Sequence, residues 1–533
     1  MDFFAALEAG IIFPQWSVFA RNGFGSPYLG YYQPGFYYVA AVCLWLTKNP
    51  QTAIALATTL LTLVGAAGMF TLSRHLFRFS PSGSPHLSPS TTDNLAAFAT
   101  AAFLCHPYQL VNLYQRGDYS EFACAMFLPW AIVFAIHSAS EKPRIWLQYL
   151  PPTAVALAAC VILHPLLAYP MFLAMFFVSR RLWPALTVAG LLSAFYWLPL
   201  LAEMQFITVD KAFIPELQPA RHLLSLSHAL MIPSSTTGAS SAPFILEPNW
   251  ALVGFAACGI LSTLRRGGSL HRLAAIVTAI TFVVIFMMTP WSLWIWEYLP
   301  FLAKLQFPWR LQNFAAILTA ILATIGLAQF RRTETFSYIV ITALIAIPVA
   351  WNMTSTKPGR PIQNTDDLAR SGFLVDTMDE WMPKTATIRM GLGDQPALVD
   401  GPCQAGRLHR SPGEIRIPLS LAPGLSKPPQ LSDTCIVTVP HFFYPAGWHA
   451  ALRLPPRPAQ INSLALANRD GFIEISVPTS ALTVEPQDIV LSNKMTPWRK
   501  IGVGVTMFTA FFLAGLPAFF RHRRFRTDDS LTS

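Results

Sequence analysis

Charge is what this chain has least of. Only 12% of its 533 residues are Asp, Glu, Lys or Arg, about half the share found in a soluble domain. With 53% hydrophobic residues, the polar surface is too small to cover a water-soluble body of that size. A soluble enzyme, a fibrous protein and a disordered chain are excluded. Cysteine is scarce as well. Cys43, Cys105, Cys124, Cys160 and Cys258 each fall singly in or beside an apolar run, so they make no ligand cluster. The histidines are scattered, with no H-x-H or H-E-x-x-H spacing, which removes a histidine-held zinc. There is no Walker A loop, no serine-hydrolase elbow and no solenoid-type repeat, which argues against ATP-driven transport and acyl hydrolysis by this chain.

Long apolar runs are what the sequence has instead. Eleven are long enough to cross a bilayer if short and tilted ones are allowed: 52–72, 95–111, 122–137, 150–162, 165–178, 182–201, 250–264, 273–288, 311–328, 338–351 and 501–520. The expected architecture is a polytopic α-helical membrane protein. Its net charge of +10 fits loop bias and implies no nucleic-acid partner, because membrane proteins gather Lys and Arg on cytoplasmic loops. Arg74/Arg78, Lys142/Arg144, Arg180/Arg181, Arg265/Arg266/Arg272, Arg331/Arg332 and Arg521/Arg523/Arg524/Arg526 occupy every second gap and the C-terminus. Placing those in the cytoplasm satisfies the positive-inside rule throughout. The segments 112–121, 202–249, 289–310 and 352–500 then face outward, with a short outer turn at His164. Residue 1 also lies outside, although 1–33 contains neither signal peptide nor span. Either the short head is carried across by the helix behind it or a further span lies upstream of Met1, and the second is the favoured expectation. The stretch Phe36 to Leu46 is too short to span and suits a helix lying at the outer interface.

Between 352 and 500 the character changes. Short β-rich runs at 387–390, 414–419, 435–439, 472–477 and 488–491 are separated by Pro and Gly. They predict a compact β-sandwich-like domain hung before the last span. Cys403 and Cys435 are its only cysteines. In an oxidising compartment a disulfide between them competes with two free thiols. Four parts result: an outer loop with interfacial helix (1–51), a helical core (52–351), a β-rich extracytoplasmic domain (352–500), and a last span with basic tail (501–533).

Several short motifs lie at the expected outer turns. Near the start stand Gly10-Ile-Ile-Phe13-Pro14-Gln15-Trp16, Gly23-Phe-Gly25-Ser-Pro27 and Tyr31-Tyr32-Gln-Pro34. Trp16 and the tyrosines alone would suit an aromatic belt at the membrane interface. Further on come Arg116-Gly117-Asp-Tyr-Ser-Glu121, Gln306-Phe307-Pro308-Trp309-Arg310, Glu380-Trp-Met-Pro383 and Tyr444-Pro445-Ala-Gly447-Trp448. In this order they resemble bacterial membrane proteins labelled "6-pyruvoyl-tetrahydropterin synthase-related" and YfhO-like proteins, which are similar to the GT-C superfamily of membrane glycosyltransferases. Gln15 stands where that pattern usually has Arg, Phe13 where it has Tyr, and Trp381 where it has Tyr. An Ala is inserted before Gly447. The absent histidine cluster means that the pterin label implies no pterin chemistry here.

The resemblance implies a polyprenyl-phosphate sugar as donor and a glycan, lipid or protein acceptor at the outer face of the bacterial cytoplasmic membrane. Such a reaction needs positive charge on the leaving phosphate. Arg310 and Arg116, at the outer ends of spans, supply guanidiniums that can clamp phosphate oxygens. Against this, Arg310 could snorkel or sit in an ion pair, and Arg116 could pair with Asp118 or Glu121. Lys304 adds to the same field. Trp309, His164, Trp16 and Tyr32 complete the substrate-binding candidates, His164 also reading simply as a helix-breaking turn residue.

A carboxylate must take the acceptor's proton. The resemblance puts that base upstream of the Pro-x-Trp motif, where only Asp2 and Glu8 stand, so the base is expected before Met1. Asp118 and Glu121, three residues apart, are the best carboxylates present and would share one helical face at the membrane surface. Base, divalent-cation ligand and loop order are the three roles open to them. No other cofactor is implied. Asp210, Lys211, Arg221 and Glu247 of the 202–249 loop receive no role. The favoured reading is an inverting, lipid-phosphate-dependent glycosyltransferase. The alternative is a non-catalytic protein that binds or translocates lipid-linked glycans, which should carry ionisable groups at mid-membrane depth.

Overall fold

In the computed structural model of this chain, the described residues are 1–78, 88–209, 217–230, 250–262, 270–299, 302, 304–329, 343, 382–386, 396–423, 434–453 and 462–528. The expected span at 338–351, the strand run at 387–390, and Asp210, Lys211, Glu247, Arg265, Arg266, Arg331, Arg332, Glu380 and Trp381 lie outside them, Ala343 excepted.

Among the described residues five helices are long and apolar enough to cross a membrane: Pro50–Arg78, Tyr119–Ser138, Pro143–Leu163, His271–Met288 and Pro308–Leu327. The 182–201 run is two helices bent by 72° at Ser193, which together would make a sixth span. The runs at 165–178 and 250–264 form the shorter helices Pro165–Val178 and Trp250–Leu261. The 95–111 run is not one helix. Helix Pro89–Leu104 stops at Cys105, because Pro107 lacks the N–H that a continuing helix needs. The chain then passes through a π-helical turn, Val111–Arg116, before re-entering a helix at Tyr119. Gly35–Thr47 is a helix packed on Pro50–Arg78, with Val42, Trp45 and Leu46 exposed.

The spanning helices pack through small residues. Ala316, Ala320 and Ala323 are buried in one helix, and Ala256 in its neighbour Trp250–Leu261. Without a hydrophobic drive between helices in lipid, close backbone approach supplies the contact energy.

Beyond the helices lie nine described strands: β1 (Leu398–Asp400), β2 (Cys403–Ala405), β3 (His409–Ser411), β4 (Glu414–Leu421), β5 (Thr434–Phe442), β6 (Trp448–Arg453), β7 (Asn462–Arg469), β8 (Phe472–Pro478) and β9 (Gln487–Asn493). Their order is β1-β5-β8-β7-β6-β9-β4-β2, with β3 on β4, and every described pair is antiparallel. Alternate residues point inward. Ile415, Ile417 and Leu419 of β4, Ile473, Ile475 and Val477 of β8, and Ile489 and Leu491 of β9 are fully buried. Cys403 and Cys435 are disulfide-bonded, tying β2 at one end of the strand order to β5 near the other.

The N-terminal segment completes this domain's core. Trp16, Val18, Phe24 and Tyr31 are buried among the sheet residues. The Trp16 indole donates to Nε2 of His441 at 2.8 Å and packs edge-on to Trp448. Gly25 sits at φ +83°, and a Cβ there would stand 2.3 Å from the His441 ring. Only glycine fits both demands. Trp16 is thus buried between the first segment and the sheet. It docks the first segment onto the β-domain.

Candidate functional site

Two motifs far apart in sequence close on one buried carboxylate. Asp118 is the N-cap of the Tyr119–Ser138 helix, and its Oδ1 accepts from the Glu121 backbone N–H at 3.0 Å. Asp118 and Glu121 therefore do not share a helical face; the cap residue precedes the helix. The Glu121 side chain is 0% exposed, at the first turn of its helix and not at mid-span.

An isolated carboxylate there would be very unfavourable. Glu121 instead accepts from five side chains. Oε1 takes the Tyr108 hydroxyl (2.7 Å), Asn313 Nδ2 (2.9 Å) and Asn112 Nδ2 (3.3 Å). Oε2 takes Arg116 Nη1 (3.1 Å) and Arg310 Nε (3.3 Å). The donors come from the π-helical turn, from the short helix Pro107–Leu110 before it, from the turn Pro308–Leu311, and from the first turn of helix Gln312–Leu327. The π-turn's wide register places Asn112 and Arg116 on one side.

Both arginines are oriented further. Arg116 also pairs through Nη2 with Asp118 at 3.1 Å, so the ion-pair reading of Arg116 holds for both carboxylates at once. Arg310 donates from Nη1 to the Leu305 carbonyl at 2.7 Å and to Gln306 Oε1, and its guanidinium lies over the Phe307 ring. Among the described residues nothing accepts from Arg310 Nη2.

His164 is a turn residue and a neighbour of the cluster. Its Nδ1 accepts from the Leu167 N–H at 3.1 Å, capping helix Pro165–Val178. One ring nitrogen lies within 4.8 Å of carboxylate oxygens of Asp118 and Glu121. As a divalent-cation site this set fits poorly. Glu121 already accepts five hydrogen bonds, His164 Nδ1 is taken, and two guanidiniums stand in the same shell. Charge of that kind suits an anion.

A cavity of about 670 Å³ adjoins the cluster. Its walls are mainly aromatic and aliphatic, including Phe4, Tyr32, Phe36, Tyr37 and Leu44, and one end is formed by Gly117, Tyr119 and Ser120, which flank Asp118 and Glu121. Tyr32 feels the charges of both Asp118 and Arg310. Apolar space thus runs up to the residues that flank Asp118 and Glu121.

The other sequence candidates lie elsewhere. Trp309 is buried, stacked on Phe307 at 4.6 Å and edge-on to His222, so it builds the turn and offers no face to a substrate. Lys304 is exposed before that turn, and Glu8 is exposed. Asp2 accepts from the Ser17 hydroxyl and is not brought into the cluster. Arg221 is exposed, outside it. Sequence reading missed Tyr108, Asn112 and Asn313. The spacing of 108, 112 and 116, and of 310 and 313, is helical, a signal that was available. Met382 and Pro383 of the Glu-x-x-Pro motif pair with Ile207 and Thr208.

No family model matches this chain, and no curated protein matches it. Among solved structures it is similar to ArnT from Cupriavidus metallidurans, crystallised with undecaprenyl phosphate bound. The identity is 12% and the TM-score 0.42, over 67% of this chain and 60% of that one. This chain thus covers 60% of that protein's length, and a likeness of that size carries no inference about chemistry.

Proposed function

We propose that this is a GT-C-like glycosyltransferase of the bacterial cytoplasmic membrane, taking a sugar from a polyprenyl phosphate to an acceptor at the outer face. One observation carries the reading: an apolar, aromatic-lined cavity reaches Gly117, Tyr119 and Ser120, the chain neighbours of the two carboxylates that hold Arg116 and Arg310. The cavity suits an isoprenoid chain, and the guanidiniums suit its phosphate. The motifs that build this site are among those that resemble the glycosyltransferase-like families.

In this mechanism Arg310, through Nη2, and Arg116 stabilise the phosphate as it departs from the sugar's anomeric carbon. Held in place before reaction, they need little reorganisation when charge develops. Glu121 is not the base, since both oxygens are saturated; it aims the two arginines. Asp118, with 19% of its side chain exposed, is the carboxylate within reach of an acceptor hydroxyl, whose proton it takes as the hydroxyl oxygen attacks. His164 faces the same site and orients acceptor or donor. The proposed orientation puts this site outside, the C-terminus inside, and the β-domain beside the acceptor.

A second reading, binding without transfer, draws on one fact: Asp118 is itself tied to Arg116. The deciding experiment reconstitutes the full chain in nanodiscs, measures binding of undecaprenyl phosphate, and follows sugar release from a polyprenyl-phosphate sugar. Binding with release supports the enzyme. Binding without release for every acceptor and donor tried supports the second reading, and absence of binding overturns both.

A further inference from the structure

A second buried carboxylate lies apart from the Glu121 cluster. Glu203 ends the Ala194–Glu203 helix and is 1% exposed. Its Oε2 accepts from the hydroxyls of Tyr31 (3.2 Å) and Tyr444 (3.4 Å), which also bond each other. Its Oε1 accepts from the Thr496 hydroxyl. Arg499 Nη2 stands 3.6 Å from Oε2 and donates to the Gly30 carbonyl at 3.2 Å. The guanidinium passes directly over Gly30, where a Cβ would crowd it. Four parts of the chain therefore meet on one carboxylate: the N-terminal segment, helix Ala194–Glu203, the β-domain and the start of the last described helix, Pro497–Asp528.

The residue after Tyr31 is the cavity residue Tyr32. The N–H groups of Tyr31 and Tyr32 both donate to the Tyr28 carbonyl, at 3.0 and 2.8 Å. The Tyr31 carbonyl accepts from the Tyr196 hydroxyl at 3.2 Å. One rigid turn thus holds two adjacent side chains, Tyr31 in the junction and Tyr32 on the cavity wall. The two side chains share that hydrogen-bonded backbone.

We propose that Glu203 is a positioning residue: by fixing Tyr31 against Tyr444 and Arg499, it sets where Tyr32 stands on the cavity wall. Ligand binding in the cavity is thereby tied to the seating of the β-domain. The ligand's identity rests on the function proposed above; the mechanical link does not. A coupling of this kind is reciprocal, so a ligand that holds Tyr32 also steadies the domain junction.

The test uses the full chain in nanodiscs with 3-fluorotyrosine at position 32. The fluorine spectrum and the Kd for undecaprenyl phosphate are measured in the parent, in Glu203→Gln and in Tyr31→Phe. Tyr31→Phe keeps the ring and the buried ion pair and removes only the hydroxyl, so it decides the matter if Glu203→Gln does not fold. A shifted or broadened Tyr32 resonance with Kd raised about tenfold, the worth of a lost hydrogen bond to a charged group, is expected. An unchanged resonance in either folded variant overturns the link. If the parent binds no lipid phosphate, the proposed function falls, and the fluorine spectrum still decides the coupling.

Discussion

Glu121 and Arg310, 189 residues apart in sequence, meet at 3.3 Å with their side chains 0% and 8% exposed. The contact joins the motif that starts one helix to the motif that starts another. In the proposed mechanism this contact lets the carboxylate aim arginines and not accept protons.

Replacing Arg310 should abolish transfer. Arg310→Ala removes the guanidinium with the uncommitted nitrogen and should lower sugar release by at least about 100-fold, as loss of a single transition-state donor does. Insertion is checked by detergent extraction and size-exclusion chromatography. Full activity in a folded Arg310→Ala protein would take Arg310 out of the mechanism.

The two carboxylates should separate by phenotype. Glu121→Gln leaves the buried Arg310 without its counter-charge and Arg116 with Asp118 alone, and should destabilise the protein by about 3–5 kcal/mol, read as a lower unfolding midpoint. Asp118→Asn keeps a good N-cap, so stability should hardly change, while transfer falls by about 10²–10⁴ if Asp118 is the base. Equal losses of stability in the two variants would contradict this division of roles.

Filling the cavity should block the lipid and spare the fold. Ala40 is half-buried and lines the cavity, and Ala40→Trp places an indole in it. Undecaprenyl phosphate binding should weaken at least about tenfold, with the thermal midpoint little changed. Undiminished binding would place the lipid elsewhere.

His441 should make the docking of the first segment pH-dependent. Its Nδ1 lies 3.2 Å from the Gly23 carbonyl and its Nε2 accepts from Trp16, so the neutral ring fits and the imidazolium would turn an N–H towards the indole N–H. Burial, then the nearby Arg410 charge, push its pKa down to about 3 against a partial upward pull from the Gly23 hydrogen bond. A folded pKa below the ordinary value of about 6.5 means that the contribution is complete above pH 6.5 and is lost as pH falls towards 3. Domain stability and Trp16 fluorescence should follow that window. His441→Gln should flatten the dependence; the same slope in that variant would assign it to another group.

Much of the helical core was legible because lipid imposes a coarse rule. A run of about twenty apolar residues must satisfy its own backbone, and does so as a helix. The runs later seen as Pro50–Arg78, Tyr119–Ser138, Pro143–Leu163 and His271–Met288 could be read on that rule. The break at His106-Pro107 was hidden because the apolar composition continues across it, while the lost backbone donor does not show in hydropathy. Strands β4, β5, β8 and β9 were visible by alternation. β6 and β7, rich in alanine and polar residues, were not.

What the sequence determined by itself was chemistry of residue type and period: too little charge for water, helices of membrane length, β-alternation before the last helix, and arginines with carboxylates at helix ends. Only tertiary structure decided which of these meet. It paired Arg116 and Arg310 on one glutamate, sent Trp16 into the β-domain, turned Trp309 into packing, and gathered Tyr31, Glu203, Tyr444 and Arg499 into a second buried cluster. The physical reason is desolvation. A buried charge persists only where its partners converge, and those partners are set by how helices and sheet pack, over separations that no local pattern records.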